Sequence, residues 1–471
     1  MSLKLKTNQL LNKIESEEQF EKGEKEDIEF QEKRNKYIIK GIISIISCII
    51  HMLGYFSVYI QKNFIVYLIS FRRHYQEKLT FSYGYFLFPV LNLTTTFTIP
   101  LGGFLEDKLG PRTTIILSTS ILCSSYTLLY FSRNIFFDYF LMSLNGFAIA
   151  IGINITKKNA CAYFMNRKAF VYGIAHLIAA FSCSGLNYFF EKIILNPLSE
   201  SPTIENIYYG EKIFMNYQKL IIFEIIFLII TCLITLLLFI KNNTKETKKF
   251  GFDEKVEKKD DQEEKENKLI SKDIKIKKAA FSKRALRLFI MLFLYFPTIH
   301  FLLNTWRPIG IYYKINTYYL QITTALYSIS SSLASILMAL IGDKIQFRII
   351  FIFFSFLISL ISFSFPYTFN NDILFICEVL SVAFIFNGFN IIIGPHIMKI
   401  FGIDIYTEIS GIIGCSVGIS EIFCVIFAFY LENNSSLDKN FTFRLMYGFS
   451  GILNVISIIF GLFEKDDKFI F

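Results

Sequence analysis

The chain has 471 residues, 53% of them hydrophobic and 17% aromatic, with a mean hydropathy of +0.46. Its charged residues, 18% of the total, gather between long uncharged runs, a pattern that excludes a soluble globular domain. The formal net charge of +9 invites a nucleic-acid reading, but Lys and Arg sit between apolar segments, where the positive-inside rule puts them. The bilayer is therefore the expected surrounding, and no nucleic-acid partner is expected.

Residues 1–36 are rich in Glu and Lys and lack a short apolar core with a small-residue cleavage site, so they read as a disordered cytosolic tail. Segment 1 is predicted over Tyr37 to Ile60, after the basic flank Lys33-Arg34-Asn35-Lys36, which argues for a cytoplasmic N-terminus. The loop from Gln61 to Thr80 should then lie outside, although it carries Arg72-Arg73; its part from Asn63 to Phe71 extends segment 1 or lies at the interface. Segments 2 (Phe81 to Phe104) and 3 (Thr113 to Phe131) are each near the ~20 residues that cross a bilayer and must form an antiparallel hairpin. Between them, Gly102 and Gly103 allow close backbone approach, Asp107 and Arg112 can pair or cap, and Gly110-Pro111 stops one helix and starts the next. Segment 4 runs from Ile135 to Thr156. Lys157-Lys158 and Arg167-Lys168 then mark a cytoplasmic loop. Segments 5 (Ala169 to Phe190) and 6 (Leu220 to Ile240) complete a bundle over residues 37–240, with an outer connection from Glu191 to Lys219.

From residue 241 to 287 the composition turns to 16 Lys and Arg against 10 Asp and Glu, which cannot form a core and reads as a flexible cytosolic linker able to rest on anionic lipid. Six more segments, at 288–307, 318–341, 349–367, 373–395, 405–431 and 443–463, make a second bundle over 288–463, and 464–471 form a cytosolic tail. The loop 431–442 carries the sequon-type stretches Asn433-Asn434-Ser435 and Asn440-Phe441-Thr442 on the expected outer side. The eight cysteines are scattered with no C-x-x-C, so neither a disulfide framework nor a zinc site is supported. Five well-separated histidines offer no metal cluster, and no acyl-transfer set occurs; no cofactor and no enzymatic activity are expected.

The second half echoes the first. Gly342-Asp343-Lys344-Ile345-Gln346-Phe347-Arg348 falls between segments 8 and 9, where a degenerate copy of Glu106-Asp107-Lys108-Leu109-Gly110-Pro111-Arg112 belongs. Asn145-Gly146-Phe147 with Gly152 and Lys157 is likewise echoed by Asn387-Gly388-Phe389 with Gly394 and Lys399. Duplication with both loops on one side implies parallel halves related by an axis along the membrane normal.

The pattern G-G-x-x-x-D-K-x-G-P-R at Gly102 to Arg112 resembles the signature between the second and third helices of major facilitator superfamily transporters. Its Gly-Pro-Arg ending is similar to the branch of monocarboxylate transporters and oxalate/formate antiporters. Leu53-Gly54-Tyr55-Phe56-Ser57-Val58-Tyr59, Tyr163 to Ala175, and Phe401-Gly402 with Gly411 resemble further pieces of that branch, with Met165 and Ala169 replacing its proline and glycine. The resemblance implies an all-α integral membrane protein of twelve transmembrane helices in two parallel six-helix bundles, functional as a monomer, with both termini cytoplasmic. It implies alternating access, with the loops containing Gly103, Asp107, Lys108, Gly110, Arg112 and Asp343, Lys344, Arg348 gating the cytoplasmic side.

The branch also uses basic residues from its eighth and its first or eleventh helices, and here the sequence departs: segment 8 has no Lys, Arg or His, and segment 11 carries Glu421. The candidates for a solute or proton pathway are His51, Tyr55, Tyr59, His176, His300, Asn304, Arg307 and Glu421, with Glu224 and Glu378 nearer the periphery. His51 and His300 occupy equivalent segments 1 and 7, and Arg307 beside Trp306 suits an interfacial anchor as well as an outer gate. The expected function is secondary or facilitative transport of a small organic solute, a monocarboxylate or related metabolite by the resemblance, with a proton as candidate coupling ion. The alternatives are a non-transporting sensor or scaffold on the same fold, and a carrier of a cationic or neutral metabolite.

Overall fold

The computed structural model describes residues 2–60, 64–77, 79, 81–164, 167–190, 194, 211–242, 272–313, 315–342, 344–369, 371–433 and 439–464. Every regular element among them is helical: α1 (Ser2–Ile60), α2 (Ile65–Arg73), α3 (Leu87–Leu109), α4 (Pro111–Phe131), α5 (Ile135–Tyr163), α6 (Lys168–Phe189), α7 (Glu211–Leu238), α8 (Lys272–Ala280), α9 (Lys283–Tyr312), α10 (Thr317–Ile341), α11 (Phe347–Thr368), α12 (Asp372–Phe401), α13 (Tyr406–Asn433) and α14 (Lys439–Leu462), with a 3₁₀ turn at Phe81–Phe86. Eleven of these are long and apolar enough to cross a membrane, and α10 supplies a shorter apolar stretch over Ile329–Ile341 among the described residues. The chain is an integral, multi-pass membrane protein.

The two halves pack alike. Within the first, α3 lies on α5, α4 on α7 and α1 on α6 and α7; within the second, α10 lies on α12, α11 on α14 and α9 on α13 and α14. Local chemistry repeats as well. Asn134 caps α5 by accepting the Phe136 amide at 2.9 Å, and Asn371 caps α12 by accepting those of Ile373 and Leu374 at 3.1 and 3.2 Å. Gly110 closes α3 at φ +81°, in the region that only glycine enters cheaply, and Pro111 starts α4 at once.

Arginines seal three helix C-termini, whose last carbonyls lack helical partners and carry partial negative charge. Arg112 donates to the Phe239 carbonyl at 2.9 Å beyond α7, and Arg348 donates to the Leu462 carbonyl at 3.3 Å at the end of α14. The third, Arg72, accounts for the basic pair Arg72-Arg73 between the first two spanning segments. It is fully buried against the α4–α5 turn, donating to Asp138 at 2.5 and 2.9 Å and to the carbonyls of Ser132 and Leu129 at 2.5 and 3.0 Å. Ser132 donates to the same carboxylate at 2.6 Å, so the ion pair is satisfied on both sides.

Several expectations change. The N-terminal segment, read as disordered, is helical from Ser2; its Lys, Glu, Leu and Gln content lacks a large core but favours helix, and Glu29 pairs with Lys33 one turn on. Residues 65–73 form a helix of their own. Lys157, read as a loop marker, lies inside α5 and is 6% exposed. The linker keeps a short helix, α8, which packs on α13; its residues 243–271, and 465–471 of the tail, lie outside the described residues. Asn440 lies exposed in the first turn of α14 and accepts the Tyr313 hydroxyl, whereas Asn434 and Ser435 are outside the described residues.

Candidate functional site

The bundles meet along two helix pairs, α3 with α13 and α6 with α10. Small residues set the closeness at the end that bears the Asp107–Arg112 loop. A Cβ added to Gly103 would sit 2.7 Å from the Glu408 carboxylate, one on Gly411 2.4 Å from Pro100, and one on Gly173 2.3 Å from the Ala339 methyl. Further along α3 the Cys415 thiol meets the Thr96 carbonyl at 3.5 Å. This end of the seam is shut.

Near mid-depth the same seam becomes polar. Asn92 of α3 donates its amide to Glu421 of α13 at 2.7 Å, and His300 Nδ1 of α9 stands 3.8 Å from the same carboxylate. Groups from α3 and α9 thus meet on one α13 carboxylate, 1% exposed, so that both bundles contribute to the site. Such an assembly can hold a proton, accept hydrogen bonds from a hydroxyl or amine, and tie or release the two halves.

The other candidates fall elsewhere. His51 donates or accepts with Thr156 at 2.9 Å, and Tyr55 contacts the Ser118 hydroxyl at 2.5 Å; both are buried within the first bundle. His176 stacks on Tyr172 in α6 and touches the Phe56 ring of α1. Asn304 and Arg307 lie in α9, but their side chains are not among the described ones. Glu224 takes the Ser57 hydroxyl inside the first bundle, and Glu378 takes those of Ser364 and Thr368 between α11 and α12.

Of the loop residues, Gly103 lies on the seam, Gly110 closes α3, and Arg112 and Arg348 brace their own bundles. Lys108 rests over the Phe104 ring at 4.3 Å, Asp107 and Lys344 are exposed, and Asp343 is outside the described residues. Sequence reasoning missed Asn92, Glu408, Tyr172 and Tyr406. A polar amide inside an apolar segment was the available signal for Asn92, whereas nothing local marks Tyr172 and Tyr406 as facing each other.

Two duplicated bundles of membrane-spanning helices, joined by a dry seam at one end and a buried polar knot at mid-depth, define a carrier-type membrane protein. The family described as Major Facilitator Superfamily matches residues 51–400, and the chain belongs to that superfamily, which makes it a transporter of small solutes rather than an enzyme. No curated protein matches it by sequence. Its fold is similar to the proton:xylose symporter XylE (TM-score 0.68, 13% identity, 91% of this chain and 95% of that one). It is also similar to the E. coli fucose:proton symporter FucP (0.59, 14%, 91% and 98%) and the human organic anion transporter MFSD10 (0.59, 11%, 89% and 98%).

Proposed function

We propose that the protein is a proton-coupled carrier of a small organic solute, a monocarboxylate first among the candidates, working by alternating access as a monomer with both termini in the cytoplasm. The observation that carries this reading is the Asn92–Glu421–His300 bridge, which joins the two bundles at mid-depth. A solute carboxylate cannot share that space with an ionised Glu421, because two unscreened like charges in a low-dielectric cavity are costly. Protonation of Glu421 or His300 removes the conflict, so anion and proton travel together as a pair without net charge. The proton also changes what Asn92 meets, from an acceptor carboxylate to a neutral acid, which weakens the tie between the bundles when the solute is aboard.

A polar neutral solute is the second reading, favoured by the acceptor character of Glu421 and by the absence of any Lys, Arg or His in α10. Two of the similar structures are sugar–proton symporters and a third is an organic anion transporter, so the fold accommodates either class. Uptake of labelled L-lactate and D-xylose into proteoliposomes, with and without an inward proton gradient, decides between them. Gradient-driven lactate accumulation, reduced in Glu421→Gln to exchange without accumulation, is the expected result. Lactate flux indifferent to the gradient and to Glu421→Gln overturns the proton-coupled reading, and binding without flux of any solute points to a sensor.

A further inference from the structure

Lys157 stands in α5 with its side chain buried, yet it forms no ion pair with any described acid. Its Nζ lies 5.2 Å from the centre of the Tyr172 ring. A single aromatic face offsets only part of the cost of taking an ammonium out of water. The rest of its surroundings supply no negative charge. Cys48, Met52, Cys161 and Ala175 line the same small, closed space, together with His176, whose ring stacks on Tyr172 at 4.9 Å and whose Nε2 is buried without a hydrogen-bond partner. Lys157 and an unpartnered His176 Nε2 thus line one space whose other lining residues include no acid.

The cover of this space crosses between the bundles. Tyr172 of α6 meets Tyr406 of α13 hydroxyl to hydroxyl at 3.3 Å, and Gly394 of α12 leaves them room, since a Cβ there would come within 3.2 Å of both hydroxyls. When α6 parts from α12 and α13, this contact must break, and the ammonium beneath it is uncovered.

We propose that Lys157 and His176, covered by Tyr172 and Tyr406, form a second station that takes a small monoanion such as a carboxylate, closed in this conformation and opened when the bundles separate at this end. Lys157 supplies the charge, His176 Nε2 a hydrogen bond, and the tyrosine hydroxyls directional contacts once they release each other. The station depends on the alternating-access reading for its opening and on the carboxylate reading for the identity of its occupant.

Cys161, in the lining, gives a test that needs no transport. The full chain, with the other cysteines replaced by serine, is reconstituted in nanodiscs and labelled with anionic sulfonatoethyl methanethiosulfonate or cationic trimethylammonioethyl methanethiosulfonate. After division by each reagent's rate with a free thiol, the anionic reagent should react at least about tenfold faster, as one unpaired charge at this depth would dictate. Lys157→Gln and Lys157→Met should each abolish that preference, and Lys157→Arg should keep it. Saturating L-lactate should slow labelling by a neutral maleimide in the parent and not in Lys157→Gln. A preference that survives in both neutral variants, or a thiol that neither reagent reaches in protein that transports, overturns the station. Preserved charge preference without lactate protection leaves the station standing and removes the carboxylate as its occupant.

Discussion

Asp138 and Arg72 have no exposed surface, and each satisfies the other's charge. Removing one partner strands the other, which typically costs about 3 to 5 kcal/mol, whereas replacing both with well-packed apolar residues costs far less. Asp138→Ala should therefore unfold the protein at much lower denaturant or temperature, and Arg72→Met with Asp138→Leu should recover most of the loss, as read by melting of the purified protein. Glu464, just beyond α14, poses the question of pH. Burial pushes its carboxyl upward, but hydrogen bonds from His396 and Arg284 and their charge outweigh burial and hold it below the ordinary glutamate range, with Arg287 3.8 Å away. A depressed value in the folded state means that this stabilisation is complete above the ordinary glutamate pKa of about 4.3 and is lost as pH falls through the lower folded value. Melting temperature should accordingly fall with acidification in that window, and Glu464→Gln should be less stable at neutral pH with a flatter acid limb.

At the scale of elements, the loop arginines cap helix ends. Arg112→Ala and Arg348→Ala should each cost about 0.3 to 1 kcal/mol, the usual worth of a cation at a helix C-terminus. Because the two caps sit in separate bundles, the double variant should lose the sum. The helices themselves were largely legible: runs of about the right length between charged or Gly-Pro punctuation placed segments 3, 5 and 9 within two residues of α4, α6 and α11. The misjudged boundaries share one cause. Segment 4 ends at Thr156 in the sequence because Lys157 marks solvent there, and the N-terminal segment reads as disordered because it is charged; in both places helix propensity outweighs polarity. Asn92 facing Glu421, 329 residues away, depends on how α3 meets α13, and no local pattern carries that information.

For the molecule as a whole, glycines divide by what they touch. Gly146 abuts the Leu91 carbonyl inside the first bundle, so Gly146→Ala should lower stability without favouring either conformation. Gly411 and Gly173 abut the opposite bundle, so Gly411→Leu and Gly173→Leu should prise that end apart. The reporter is Cys415, half-buried against Thr96, whose labelling as a sole thiol should quicken in both variants and stay slow in Gly146→Ala. Equal labelling in all three would show that the seam is not the element that opens.

The composition of that seam also bears on how fast the molecule can cycle. Each turnover must wet a surface that was dry, and at roughly 25 cal/mol per Å² of apolar area a face of Leu and Phe would add a large barrier to every opening. Gly103, Gly411, Gly173, Ala339 and Pro100 have little apolar area to lose, while the bulky Phe and Ile side chains, such as Phe131, Phe181 and Phe353, stand outward, where lipid covers them in both states. The surface that alternates between dry and wet is thus the one least sensitive to water, and enlarging it should slow turnover even where the solute site is untouched.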